Sequence, residues 1–217
     1  MADETIDRDE TAKTGEEPPA PVMAAAADGL QFTNTNRWGT RQLVILALMC
    51  AISVLLSFIE FPIFPAAPFL KYDASIMPAM VSGFAFGPVG GIAVGIIASL
   101  IHGILMGDYP GALMNVIVVV FYVTPAALIY KKAHSWKGAV LALVIGCITS
   151  TLGAIAANLL VTPTYMGVPI EAVIGMILPI LTPFNLLKAA LNSVLTLLVY
   201  KSISNLITPK KKQVKGR

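Results

Sequence analysis

Long stretches without a charged side chain dominate this sequence and decide what it can become. They cover residues 42–59, 61–70, 74–107, 109–130, 138–170, 172–187 and 189–200. A helix crossing the hydrocarbon of a bilayer needs about 20 apolar residues, with a range of about 17–25. Only 12% of the residues are charged and 56% are hydrophobic, whereas a soluble domain carries about 25% charged residues. The chain therefore reads as an all-α integral membrane protein, and a water-soluble enzyme is excluded. The run 74–107 is too long for one helix. It breaks at Gly87-Pro88, because proline cannot continue a helix and glycine favours its end. The pattern predicts six transmembrane helices at roughly 40–59, 72–86, 89–106, 111–130, 138–161 and 178–206.

The flanks differ from this membrane domain, 37–207. Residues 1–36 hold Asp3, Glu4, Asp7, Asp9, Glu10, Glu16, Glu17 and Asp28 against Arg8 and Lys13. With one aromatic, Phe32, and Pro18, Pro19 and Pro21, this segment cannot bury enough apolar surface to offset the entropy of ordering. It reads as a disordered acidic N-terminal tail. It is not a signal peptide, lacking a basic start followed by an apolar stretch. Residues 208–217 read as a basic cytoplasmic C-terminal tail. Lysines facing anionic lipid explain that tail, and nucleic acid is not needed.

Six spans put both termini on one side. That side collects Arg37, Arg41, Lys131, Lys132, Lys137, Lys201, Lys210, Lys211, Lys212, Lys215 and Arg217. The opposite loops hold Lys71 with Glu60, Asp73, Asp108 and Glu171. By the positive-inside rule both termini are cytoplasmic, and five spans would push the Lys210–Arg217 cluster outside. Trp38 and Trp136 lie beside Arg37 and Lys137, as interfacial anchors would. Two outer loops, 60–73 and 162–172, are apolar and proline-rich where a merely connecting loop would be polar. They are expected either to cover a binding cavity or to lie among lipid headgroups.

Lys188 sits inside the last hydrophobic span, between Leu186-Leu187 and Ala189-Ala190. A lysine at membrane depth costs about 2.5–3.5 kcal/mol by the lower estimates and usually faces a cavity or a partner. With Asp73 counted in the outer loop 60–73, no acid is left within the predicted spans to pair with it, and snorkelling to the outer interface is the alternative. Thr182 suits an N-cap and Pro183 a first helical position. Asn185, Lys188 and Asn192 then form one polar face near a helix start, where the backbone adds partial positive charge. Such a face suits a neutral, carbonyl-rich molecule or an anion. Asn158 and Asn115 are further intramembrane amides, each readable as a ligand contact or an interhelical hydrogen bond. His102 has no metal partner at ligand spacing and reads as packing.

Cys50 and Cys147 stand alone in apolar runs and make neither a disulfide framework nor a metal site. The small residues Ala79, Gly83, Gly87, Gly91, Gly95 and Ser99 recur every fourth position, a stripe that lets helices approach closely. Ala47 and Ala51 form another such pair, able to meet another protein. The chain has no phosphate-binding Gly-x-x-x-x-Gly-Lys-Ser/Thr loop, no intramembrane acid relay, no Ser-His-Asp constellation and no metal pattern. It reads as a binder without its own energy source.

Four segments carry a family resemblance: Glu60-Phe-Pro-Ile, Pro68-Phe-Leu-Lys-Tyr-Asp73, Gly83-Phe-Ala-Phe-Gly-Pro-Val-Gly90 and Pro183-Phe-Asn-Leu-Leu-Lys188. They resemble the riboflavin-specific substrate-binding (S) components of energy-coupling factor (ECF) transporters, over about residues 38–206. The resemblance implies a six-helix protein of the bacterial cell membrane that captures riboflavin from outside. It further implies docking on an ECF transmembrane subunit and two ATPase subunits, which would hydrolyse the ATP, with no cofactor of its own. Mapped by motif, Asn158, Asn185 and Lys188 would bind the flavin, Leu70 would contribute by backbone or apolar contact, and Ala47 and Ala51 would face the partner subunit. An S component for a different vitamin would keep the fold and change the contacts at Asn158, Asn185 or Lys188. A non-transport membrane protein is the third reading.

Overall fold

The computed structural model describes residues 39–207 except Ala66, with side chains as far as Tyr200. The acidic segment 1–36, Arg37, Trp38 and the basic segment 208–217 lie outside the described residues. The helices are α1 (Thr40–Ser57), α2 (Ile76–Phe86), α3 (Pro88–Met106), α4 (Tyr109–Lys132), α5 (Trp136–Met166), α6 (Ile170–Met176) and α7 (Thr182–Ile207). A π-helical turn, Ile177–Leu181, joins α6 to α7 so that the two continue as one rod. Among the described residues this makes six rods, five of them long and apolar enough to cross a membrane. The sixth, α2, has 11 residues. At about 1.5 Å per residue it spans roughly 16 Å, half of a hydrocarbon core about 30 Å thick.

Three expectations need correction. The chain is not purely helical: β1 (Phe61–Pro62) pairs antiparallel with β2 (Lys71–Tyr72), Phe61 opposite Tyr72, and folds the first apolar loop into a hairpin. The second, 162–172, is not a loop. α5 runs through Pro163 to Met166, and only Gly167, Val168 and Pro169 separate it from α6. Nor is Thr182 a free helix start: α7 begins there, but α6 and the π turn run straight into it, so the last rod starts at Ile170. The cause is common to both helices. In lipid a backbone must satisfy itself, so helices carry prolines that would end them in water, with local rearrangement of the ladder. Here Pro179 and Pro183 each remove a donor, and the chain widens into the π turn, where the Thr182 N–H reaches back to the Ile177 carbonyl.

The Gly87-Pro88 break is as expected. Gly87 has φ 85, a conformation open to glycine, and Pro88 opens α3. The break folds α3 back on α2, and the small-residue stripe lies in that contact. A Cβ at Gly91 would stand 2.6 Å from the Ala79 carbonyl oxygen and 2.7 Å from the Gly83 Cα, so only glycine allows the two backbones to meet. Val119 and Val123 of α4 close on the same seam, and the fully buried Tyr122, Met80 and Val94 fill the centre. α1 packs mainly on α3 and α2, and its Ala47 and Ala51 remain exposed.

The ends of the bundle differ in chemistry. Glu60, Lys71, Asp73, Asp108 and Glu171 fall at the end that carries the hairpin, and Arg41, Lys131, Lys132 and Lys137 at the other. Near the latter end Tyr130 stacks on Phe84, ring centroids 4.4 Å apart, and its hydroxyl meets that of Tyr200 at 2.6 Å.

Candidate functional site

The hairpin end of the bundle holds a cavity of about 400 Å³, within the ordinary range for small-molecule sites of about 300–1,000 Å³. The hairpin segment supplies Phe69, Leu70 and Asp73, α4 supplies Asn115 and Val118, α5 supplies Asn158 and Tyr165, and α7 supplies Phe184, Asn185 and Lys188. The four residues singled out as substrate contacts, Asn158, Asn185, Lys188 and Leu70, all line it. The first apolar loop is thus a wall of the cavity. The second contributes through Tyr165 and Met166, as the last turn of α5 rather than as a loop.

Lys188 neither snorkels nor stands unpaired. It is 7% exposed. Its ammonium donates to Asp73 Oδ2 at 2.9 Å, to Asn115 Oδ1 at 3.2 Å and to the Lys71 carbonyl at 3.4 Å, which engages all three of its donors. Asp73 is the partner that sequence reasoning missed. The available signal was a count: four acids lie outside the N-terminal segment, and a buried lysine needs one of them. Asp73 precedes α2, outside the spanning helices. Burial alone would raise its carboxyl pKa. The Lys188 charge and the Ser75 hydroxyl and N–H outweigh that and hold it below the usual range. Asn192 Nδ2 donates to the Asp73 backbone carbonyl at 3.1 Å, tying the same turn to α7.

The two flanking amides are held by their own helices. Asn185 Nδ2 donates to the Leu181 carbonyl at 2.8 Å, and Asn158 Nδ2 to the Ala154 carbonyl at 2.8 Å. Asn158 Oδ1 accepts from the Thr162 hydroxyl at 2.9 Å. These local bonds fix each carboxamide without using all of its capacity. Asn115, readable from sequence as a simple interhelical amide, belongs to the cavity through Lys188.

The rim adds a second polar group. Glu60 pairs with Lys71 across the hairpin. His102 Nδ1 lies 3.0 Å from the Ser57 hydroxyl, and its Nε2 3.6 Å from Glu60. His102 therefore packs, as expected, and also lines the cavity. Among the described residues no three His, Cys, Asp or Glu side chains are placed to hold a metal. Cys50 and Cys147 are free thiols.

A cavity with an apolar wall and a buried polar floor, set in a bundle of membrane-length helices, defines a membrane-embedded small-molecule binding protein. The chain belongs to the family described as ECF transporter, substrate-specific component, which it matches over residues 41–200. It is 30% identical over 179 residues to a riboflavin transporter RibU of Staphylococcus aureus, covering 79% of this chain and 95% of that one. It is also 30% identical over 187 residues to a RibU of Streptococcus thermophilus, covering 81% and 87%. The structure superposes with a TM-score of 0.70 and 30% identity on a solved S component of a bacterial ECF transporter, covering 78% of this chain and 98% of that one. The protein is a multi-pass component of a bacterial membrane transporter and not an enzyme.

Proposed function

We propose that the protein is the high-affinity riboflavin-binding S component of an ECF importer. The observation that carries this reading is the convergence of Lys188, Asn185 and Asn158 on one cavity, in a chain about 30% identical to riboflavin transporters over most of its length. Riboflavin presents carbonyls and ring nitrogens along one edge, and these suit an ammonium and carboxamides. Its wide apolar ring suits Phe69, Leu70 and Phe184. The Lys188 bond to the Lys71 carbonyl, 3.4 Å, is the longest of its three. It is the one a flavin carbonyl replaces, while Asp73 keeps the ammonium compensated.

The hairpin end faces outward and both termini lie in the cytoplasm, in keeping with the four bases Arg41, Lys131, Lys132 and Lys137 at the opposite end. Ala47 and Ala51 on the exposed face of α1 meet the ECF transmembrane subunit. Two ATPase subunits on that module hydrolyse ATP, and this chain needs no cofactor. Ala47→Trp is accordingly expected to abolish riboflavin uptake in cells while purified protein still binds riboflavin. A fall in binding of the same size would put Ala47 in the packing of the bundle instead.

Gentle purification in detergent is expected to yield yellow protein that releases close to one flavin per chain on denaturation. Colourless protein that also fails to quench the fluorescence of added riboflavin would remove flavin as the substrate.

A further inference from the structure

Resting on the riboflavin reading, we propose that Thr162 is a positioning residue, whose hydroxyl holds the Asn158 carboxamide so that an N–H is presented to the flavin. Both side chains line the cavity. They stand four residues apart on α5, hence on one face of it, with Asn158 3% and Thr162 7% exposed.

A hydroxyl inside a helix ordinarily bonds back to a main-chain carbonyl of the preceding turn. Thr149, Thr151 and Thr196 all do so, donating to the carbonyls of Ile145, Cys147 and Asn192 at 3.0, 2.8 and 2.7 Å. Thr162 departs from that habit. Its hydroxyl donates to a side chain, Asn158 Oδ1, at 2.9 Å. The helix has no need of this bond, and the carboxamide gains by it.

At the other end of the same carboxamide, Nδ2 donates to the Ala154 carbonyl at 2.8 Å. A carbonyl only accepts, and the Thr162 proton needs an acceptor, so both neighbours demand one orientation. Turned over, the amide would set its oxygen against the Ala154 carbonyl, two acceptors face to face in a buried position. With the Ala154 bond alone the oxygen end is loose, because the torsion that turns a carboxamide has a broad minimum. Thr162 is the second hold.

A carboxamide has two N–H donors and two acceptor positions on its oxygen. One of each is spent on α5, which leaves Asn158 a single N–H and a half-used oxygen for a ligand. Flavin carbonyls and ring nitrogens are acceptors, and the spare N–H matches them. Fixing that N–H before the ligand arrives removes an ordering cost that binding would otherwise carry.

The test is a fluorescence-quenching titration with riboflavin of the full chain in detergent. The proteins are the wild type, Thr162→Val and Thr162→Ser, each made again in an Asn158→Ala background. Valine keeps the branched shape and drops the hydroxyl; serine keeps the hydroxyl and drops the methyl. Thr162→Val is expected to weaken binding about three- to tenfold, and Thr162→Ser to bind as the wild type does. In the Asn158→Ala background Thr162→Val should change the dissociation constant by no more than about twofold, the size of ordinary non-additivity. A space-filling role gives the opposite order, with valine unchanged and serine weakened, and that result overturns the proposal. So does a loss on Thr162→Val that persists without the Asn158 carboxamide, which would put the hydroxyl on the flavin itself. Thr162→Ala also lacks the hydroxyl and replaces the valine variant if that one fails to fold, with serine still expected to match the wild type. Should the wild type bind no riboflavin, the riboflavin reading falls and this proposal with it; binding that ignores the hydroxyl removes Thr162 alone.

Discussion

Lys188→Ala will lose both affinity and stability. Riboflavin binding is expected to weaken by about 1–3 kcal/mol, the usual consequence of leaving a polar partner unmatched. The fold is expected to lose about 3–5 kcal/mol, because the deletion leaves Asp73 as an uncompensated buried charge. Asp73 has 5% of its surface exposed, so water cannot take over from the ammonium. The two losses separate in a double variant. Asp73→Asn with Lys188→Ala removes the stranded charge and should recover most of the thermal stability, while riboflavin titration stays weak. Recovery of both properties together would mean that Lys188 serves only to neutralise Asp73, and would remove it from the flavin contacts.

Gly91→Ala is the second large effect, although it adds a single methyl group. That methyl would meet the Ala79 carbonyl, the Gly83 Cα and the Val123 side chain, all within 2.7 Å. Two of the three are on the backbone of α2 and cannot step aside. Overpacking of this kind costs about 1–3 kcal/mol, visible as a lower unfolding midpoint in detergent. Gly175→Ala on α6 is the matched control, since its added carbon would meet nothing within 4 Å. In a helix the control change is expected to be neutral or stabilising by about 0.5–1 kcal/mol. Equal losses at both positions would sink the view that α2 and α3 touch through this seam.

The helices were readable because the bilayer reduces the problem to one rule: charge-free runs of sufficient length become helices. The Gly87-Pro88 break was readable because glycine and proline act locally. The same local rules misled at Pro163 and Thr182-Pro183, where the membrane keeps a helix going that water would have ended. Asn158, Asn185 and Lys188 announced themselves as polar groups at apolar depth, and the structure brings them together with Leu70 at one cavity. Asp73 did not, since it lies 115 residues from Lys188 in the chain. Its role depends on how the hairpin seats the turn before α2, a tertiary fact with no local periodicity.

The depth of the cavity has a bearing on how far a captured molecule must afterwards travel. Val118 on its wall lies nine residues into α4 from Tyr109, or roughly 14 Å along that helix. Set against a hydrocarbon slab about 30 Å thick, binding alone would carry a captured molecule below the start of α4 by a depth equal to nearly half of it. What remains for release is the other half of that slab's depth.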